Sequence, residues 1–303
     1  MFLTYFNESK GGFFKLTTNK PLNHCIQRRL PDDQVIDAAR LAILENPDNA
    51  PHKDVMSGGD IESFEAAMVV AKKWKNGRTL RVRFLDGDTF VHEKVKQYAN
   101  EWSRYANIKF VFGNDPDAEI RVSFQDPKRG YWSYVGTDNL SIPKDEATMN
   151  FEGFNRGTNE NEYSRVVLHE FGHCIGLSHE QSNPAAEIPW DKEAVYRYYA
   201  NPKHGGWSKE MVDHNVLAKL DPAETVFTPH DKLSIMQYPV ENELTIGDYE
   251  IGWNRTLSET DKQFISQMYP IGTEDIQGIE IDDVAIKAAA LENNTQSSYA
   301  ERD

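Results

Sequence analysis

The residues able to do chemistry cluster in His169-Glu170-Phe171-Gly172-His173-Cys174-Ile175-Gly176-Leu177-Ser178-His179-Glu180-Gln181. His169 and His173 stand one helical turn apart, so on a helix their imidazoles project from one face. Two His at that spacing can bind one Zn²⁺, with Glu170 beside them as a candidate general base. Gly176 predicts the end of the helix, because glycine adopts the left-handed conformation that turns the chain back. That turn can bring His179 round as a third ligand. Three His ligands leave the fourth position open for water, the pattern of a catalytic zinc, and one Zn²⁺ per chain is expected. Any one of these His, taken singly, reads more simply as a hydrogen-bonded core residue. Their joint spacing with Glu170 and Gly176 is what favours a metal.

The segment has the form HExxHxxGxxH and resembles the metzincin metallopeptidases. Glu180, directly after the third His, resembles the astacin branch. Ser234-Ile235-Met236-Gln237-Tyr238 is similar to the astacin SxMxY turn, with Gln237 where that family often has His. The resemblance implies a zinc endopeptidase, a hydrolase in which Glu170 takes the proton of the attacking water and passes it to the leaving amine. Tyr238 would rest with its hydroxyl on zinc and swing to support the oxyanion. Met236 would pack beneath the metal without binding it. The implied fold is α+β, a metzincin-type two-lobed catalytic domain: a twisted mixed sheet with helices, an active-site helix and a smaller C-terminal lobe. The edge strand of that sheet would hold Ser133, Tyr134 and Val135 and accept an extended peptide. The N-terminus made by pro-segment removal would be buried against Glu180.

The organisation expected is a pro-segment-like region over residues 1–73, a catalytic domain over 74–270 and an acidic tail over 271–303. Val55-Met56-Ser57-Gly58-Gly59-Asp60 resembles the astacin zymogen motif, in which an Asp occupies the zinc; Gly59 and Asp60 match, and Ser57 replaces the aromatic. Asp60 is therefore the expected inhibitory ligand, ahead of the competing Cys25 thiol. The alternative is an ordinary turn and helix cap before Ile61. The tail is read as a flexible acidic segment or, alternatively, as an uncleaved export signal of the kind some bacterial effector proteins carry.

Elements fall where periodicity and caps place them. Gln34–Leu44 behind Pro31 predicts a helix of about three turns, and Thr79–Phe84 a strand alternating at period two. A helix capped by Asp88 or Thr89 should run to about Tyr105, with Val91, Val95, Ala99 and Trp102 on one face. Strands are expected at Ile108–Phe112, Ala118–Phe124 and Ala147–Phe151. The zinc helix should start near Glu162 to Ser164, burying Val166, Val167 and Phe171. Helices follow near Lys192–Tyr199 and Glu210–Leu217, and a capping box at Ser258-Glu259-Thr260-Asp261 opens a closing helix to about Tyr269.

With 303 residues, 39% of them hydrophobic, there is ample material for a core. The net charge of −15 excludes reliance on phosphate contacts, so no nucleic-acid partner is expected, and no anionic membrane either. The expected partner is a protein or peptide substrate, met by a monomer. Only Cys25 and Cys174 are present, and a bridge between them is not expected. No stretch reads as a signal-peptide core or membrane span, so synthesis in the cytoplasm, with or without signal-peptide-independent export, is expected. Two other functions remain open at this stage: a zinc-binding interaction module without turnover, and a metal hydrolase of a non-protein amide.

Overall fold

Alternation in Thr79–Phe84 produces a strand, β2, whose Leu80 and Val82 are buried. The computed structural model describes residues 25–51, 71–126, 130–222 and 225–272. Asp60, the residues flanking it and the acidic tail from 273 onward lie outside the described residues. Within them, β2 joins β1 (Cys25–Gln27), β3 (Lys109–Phe112), β4 (Ile120–Ser123), β5 (Tyr131–Ser133) and β6 (Met149–Phe151). The sheet has the order β1-β5-β6-β4-β2-β3. All neighbours are parallel except β5 and β6, which are antiparallel, so the sheet is mixed and the fold α+β as expected.

The helices are α1 (Val35–Glu45), α2 (Thr89–Trp102), α3 (Glu160–Cys174), α4 (Lys192–Ala200), α5 (Lys209–Val212, continuing as a π turn over Asp213–Leu217) and α6 (Glu259–Met268). The Asp88 carboxylate caps α2 by accepting from the Phe90 and Val91 amides. That helix stops at Trp102, short of Tyr105. Ser258 and Asp261 form the expected capping box on α6. Among the described residues no helix is long and apolar enough to cross a membrane.

One core lies between the sheet, α2 and α3, and holds Trp74, Trp102, Phe110, Phe171 and Tyr269. Polar tips of its large side chains pin α3 from outside. The Trp102 indole donates to Leu168 O at 2.9 Å, the Trp74 indole to Cys174 O at 2.8 Å, and the Tyr269 hydroxyl to Ile175 O at 2.8 Å. These bonds satisfy carbonyls along the helix and at its last turn, which buried helix ends require. The second core joins Ile26, Leu30 and Ala38 from the N-terminal part to Trp132, Tyr134, Val195, Tyr199, Trp207 and Tyr238.

That second core corrects one expectation. Ser133, Tyr134 and Val135 do not form an open edge, because β1 lies alongside β5, with Cys25 opposite Tyr131, Ile26 opposite Trp132 and Gln27 opposite Ser133. Arg28 N continues the ladder, donating to Ser133 O at 3.3 Å. Ser133 closes β5, Tyr134 and Val135 follow it, and all three are buried. The physical reason is the one that makes an edge attractive to a substrate: unpaired N–H and C=O groups recruit whichever strand is at hand.

Candidate metal centre

Helix α3 begins at Glu160, two residues before the earliest expected start, because the Asn159 side chain caps it by accepting from Asn161 N at 2.9 Å. Val166, Val167 and Phe171 face the core as expected. The helix ends at Cys174, and Gly176 takes φ +105°, a region open to glycine. Gly176 N returns to His173 O at 2.8 Å and Leu177 N to Gly172 O at 3.0 Å. The turn carries His179 back over the helix to the other two His.

The ring tautomers follow from the backbone. His169 Nδ1 lies 2.7 Å from Ile235 O and His173 Nδ1 lies 2.8 Å from Leu177 O. A carbonyl oxygen only accepts, so each Nδ1 carries the proton and each Nε2 presents a lone pair. His169 Nε2 is buried without a hydrogen-bond partner, and His173 Nε2 faces His179 Nε2 at 3.0 Å. Burial pushes the His173 ring down to about 4, and burial and the His173 ring hold His169 and His179 far below the usual imidazole range. The rings are therefore neutral at pH 7, and the His169 and His173 Nε2 lone pairs are free to bind a cation beside His179. A buried imidazole set of this kind fits zinc.

A fourth donor completes the group. Cys25 Sγ and one nitrogen from each of His169, His173 and His179 all lie within 4.8 Å of one another. The same thiol donates to Glu170 Oε2 at 3.2 Å. Burial, then the Glu170 charge, pushes the thiol well above its ordinary value. Burial also pushes Glu170 up to about 8, against the Cys25 bond and the charge of Arg165, which act to lower it. Cys25 and Cys174 are both free, so no bridge joins them.

Tyr238 departs from its expected resting place. Its hydroxyl donates to the Cys25 carbonyl oxygen, so β1 holds the group that the resemblance puts on zinc. Its ring still lies near the centre, tilted against the imidazoles with its centroid 4.5 Å from that of His179 and 6.0 Å from that of His169. Gln181 sets the Tyr238 backbone by accepting from its N–H at 3.2 Å, and donates to Asn215 O at 2.9 Å. Met236 is buried, with its Sδ beside Gly172 on the helix that carries His169 and His173. Gln237 donates to Tyr238 O at 2.8 Å and pairs with His230 at 2.9 Å.

Glu180 lines a cavity of about 130 Å³ with Ser178, Asp231, Met236 and Asp261. It accepts from Asn183 Nδ2 at 2.9 Å and Asp231 N at 3.0 Å, and burial pushes its carboxyl up to about 7. From sequence alone Cys25 ranks below Asp60, and neither Gly172 nor Gln181 carries a role. For Cys25 the available signal was a soft donor in a chain with only two cysteines.

Comparison with known proteins agrees with this geometry. The matrixin peptidase family matches residues 79–199. The human matrix metalloproteinase-20 is 29% identical over 122 residues, 37% of this chain, and the chain spans 24% of that protein's length. Two structures of myroilysin share 46% and 45% identity, with TM-scores of 0.64 and 0.52. Each covers 66% of this chain, and the chain covers 97% and 86% of theirs. The chain belongs to the metzincin zinc metallopeptidases. Zn²⁺ is accordingly the metal of this metzincin's three-His site.

Proposed function

We propose that this metzincin is an astacin-like zinc endopeptidase in a latent form, with Cys25 rather than Asp60 as the inhibitory zinc ligand. The observation that carries the peptidase reading is the convergence of three buried imidazoles, two of them with proton-free Nε2 atoms, beside a buried carboxylate. Zinc held by His169, His173 and His179 supplies Lewis acidity toward a water and the scissile carbonyl. Glu170, lifted toward neutrality by burial, holds the proton the water gives up and delivers it to the departing amine. Tyr238, once free of the Cys25 carbonyl, donates to the carbonyl oxygen as charge builds there.

Cys25 supports latency through three contacts at once. Its thiol sits in the donor cluster and on Glu170, its carbonyl holds Tyr238, and its strand covers β5. Release of β1 opens the edge for a peptide running antiparallel to β5, opposite in sense to β1. The cavity at Glu180 suits the ammonium of a new N-terminus, and the incoming chain passes close by: Lys72 O lies 3.6 Å from the Cβ position of Gly176. Cleavage upstream of Trp74, in the segment read as pro-sequence, is the proposed maturation step.

The test uses the full-length chain with a quenched peptide mixture and a chelator control. Cys25→Ala should raise basal hydrolysis by at least about tenfold, a difference of roughly 1.4 kcal/mol. Glu170→Gln in that background should retain one zinc and lose about 10²–10⁴ in rate. Full activity of the Gln variant refutes Glu170 as the base; an unchanged rate in Cys25→Ala removes the thiol lock.

A further inference from the structure

Asn215 lies in the π turn that continues α5, an irregularity that often marks a functional position. Its Oδ1 accepts from Gln27 N at 3.0 Å, and its Nδ2 donates to Met211 O at 3.0 Å. Its carbonyl oxygen accepts from Gln181 Nε2 at 2.9 Å, and the His179 ring bonds the same main chain. The Asn215 acceptor is thus fixed in place relative to the metal centre. Successive residues of a strand turn their N–H groups to opposite sides. Arg28 N faces β5, where it donates to Ser133 O, so Gln27 N faces the other way and meets Asn215. Strand β1 is therefore gripped along both edges, by β5 on one and by Asn215 on the other.

We propose that Asn215 is a substrate-binding residue, which accepts one main-chain N–H of the bound peptide on the N-terminal side of the bond to be cut. The inference rests on the peptidase reading and on release of β1, and it gives the peptide a second wall opposite β5. Cys25, at the metal, pairs opposite Tyr131. A peptide running from Ser133 toward Tyr131 accordingly passes Asn215 before it reaches the metal. The peptide residue paired with Ser133 turns its N–H and C=O to β5, and the next one turns its N–H outward to Asn215. Departure of β1 takes the donor from Asn215 Oδ1, and an acceptor left unpaired in a buried place costs more than the bond itself contributes. The peptide N–H restores it. The ligand is an extended main chain, whatever its side chains.

The experiment compares one cleavable peptide with analogues that each carry a single amide-to-ester replacement N-terminal to the cut, using the full-length Cys25→Ala chain as the active form. The ester removes one N–H donor without adding bulk. Asn215→Ala also loosens β1 and so changes the overall rate; the readout is the ratio of kcat/KM between amide and ester, in which the fraction of active chains cancels. At one position the ester should lower kcat/KM at least about fivefold. Asn215→Ala should bring that loss near one and leave the losses at residues facing β5 unchanged, the signature of a pairwise contact. Asn215→Asp should enlarge it, because a charged acceptor holds an N–H more strongly. A merely structural role predicts that every position shifts alike or none does, and either result overturns the proposal. Should Asn215→Ala fail to fold, Asn215→Asp decides: a loss that stays or falls overturns it. Cleavage of no peptide, an unbiased library included, refutes the peptidase reading itself and this proposal with it.

Discussion

Gly172 sits between His169 and His173 of α3, where the helix must let Met236 approach closely. A Cβ there would collide with Met236 Sδ and stand 3.2 Å from Trp102 Cζ2. Met236 is 2% exposed and Trp102 fully buried, so neither has open space to retreat into. Gly172→Ala should therefore cost about 1–3 kcal/mol by overpacking, despite alanine's better helix propensity. The check is thermal unfolding of the zinc-loaded chain, with an expected drop of roughly 2–4 °C for each kcal/mol. An unchanged or higher midpoint would show that Met236 repacks freely and the contact sets nothing. Such residues mark the limit of reading a sequence. His169, Glu170 and His173 were legible from helical spacing, His179 from the turn that Gly176 announces, and Met236 from the family resemblance. Cys25 was not, since it reaches Glu170 from 145 positions away and no local period encodes that approach.

Strand β1 is short and at the sheet edge, and bonds beyond its ladder with β5 help to hold it. Gln27 N donates to Asn215 Oδ1 at 3.0 Å and Arg28 N to Ser133 O at 3.3 Å, while the Arg28 guanidinium stands 4.9 Å over Trp132. Arg28→Pro removes the second donor on the side facing the sheet, where proline is not tolerated without loss of pairing. The full-length variant should show severalfold higher basal peptidase activity with its zinc content unchanged, read by hydrolysis and metal analysis together. Unaltered activity would mean that the thiol alone maintains latency and the strand contributes nothing. At this scale the alternating run at Thr79–Phe84 and the capped helices at Asp88 and Ser258 were readable, because their signals are local. The three residues of β1 carry no period of their own. They become a strand only because β5 offers them an edge, which is a tertiary event.

Across the whole molecule, an ionic chain ties the N-terminal part to the sheet. Glu45 at the end of α1 pairs with Arg78 at 3.1 Å, Arg78 with Glu119 at 3.1 Å, and Arg81 with both Glu119 at 2.6 Å and Asp115 at 2.9 Å. Glu119 is the buried centre of this chain, 2% exposed, and also accepts from Arg81 N at 2.9 Å. Burial alone would raise its pKa, but the bonds from Arg81 outweigh that and hold the carboxyl below its usual range. The sign follows from linkage. A carboxyl that is more acidic folded than unfolded stabilises the protein above the unfolded value, about 4.3, and loses that contribution as pH falls through the folded value. Glu119→Gln should therefore be less stable than the parent at pH 7, and the gap should close as pH drops from about 5 to 3. Urea midpoints for both chains across that range read it directly. A gap that persists at pH 3 would assign the loss to packing of the amide rather than to charge, because a protonated Glu119 and a glutamine then present the arginines with the same neutral partner.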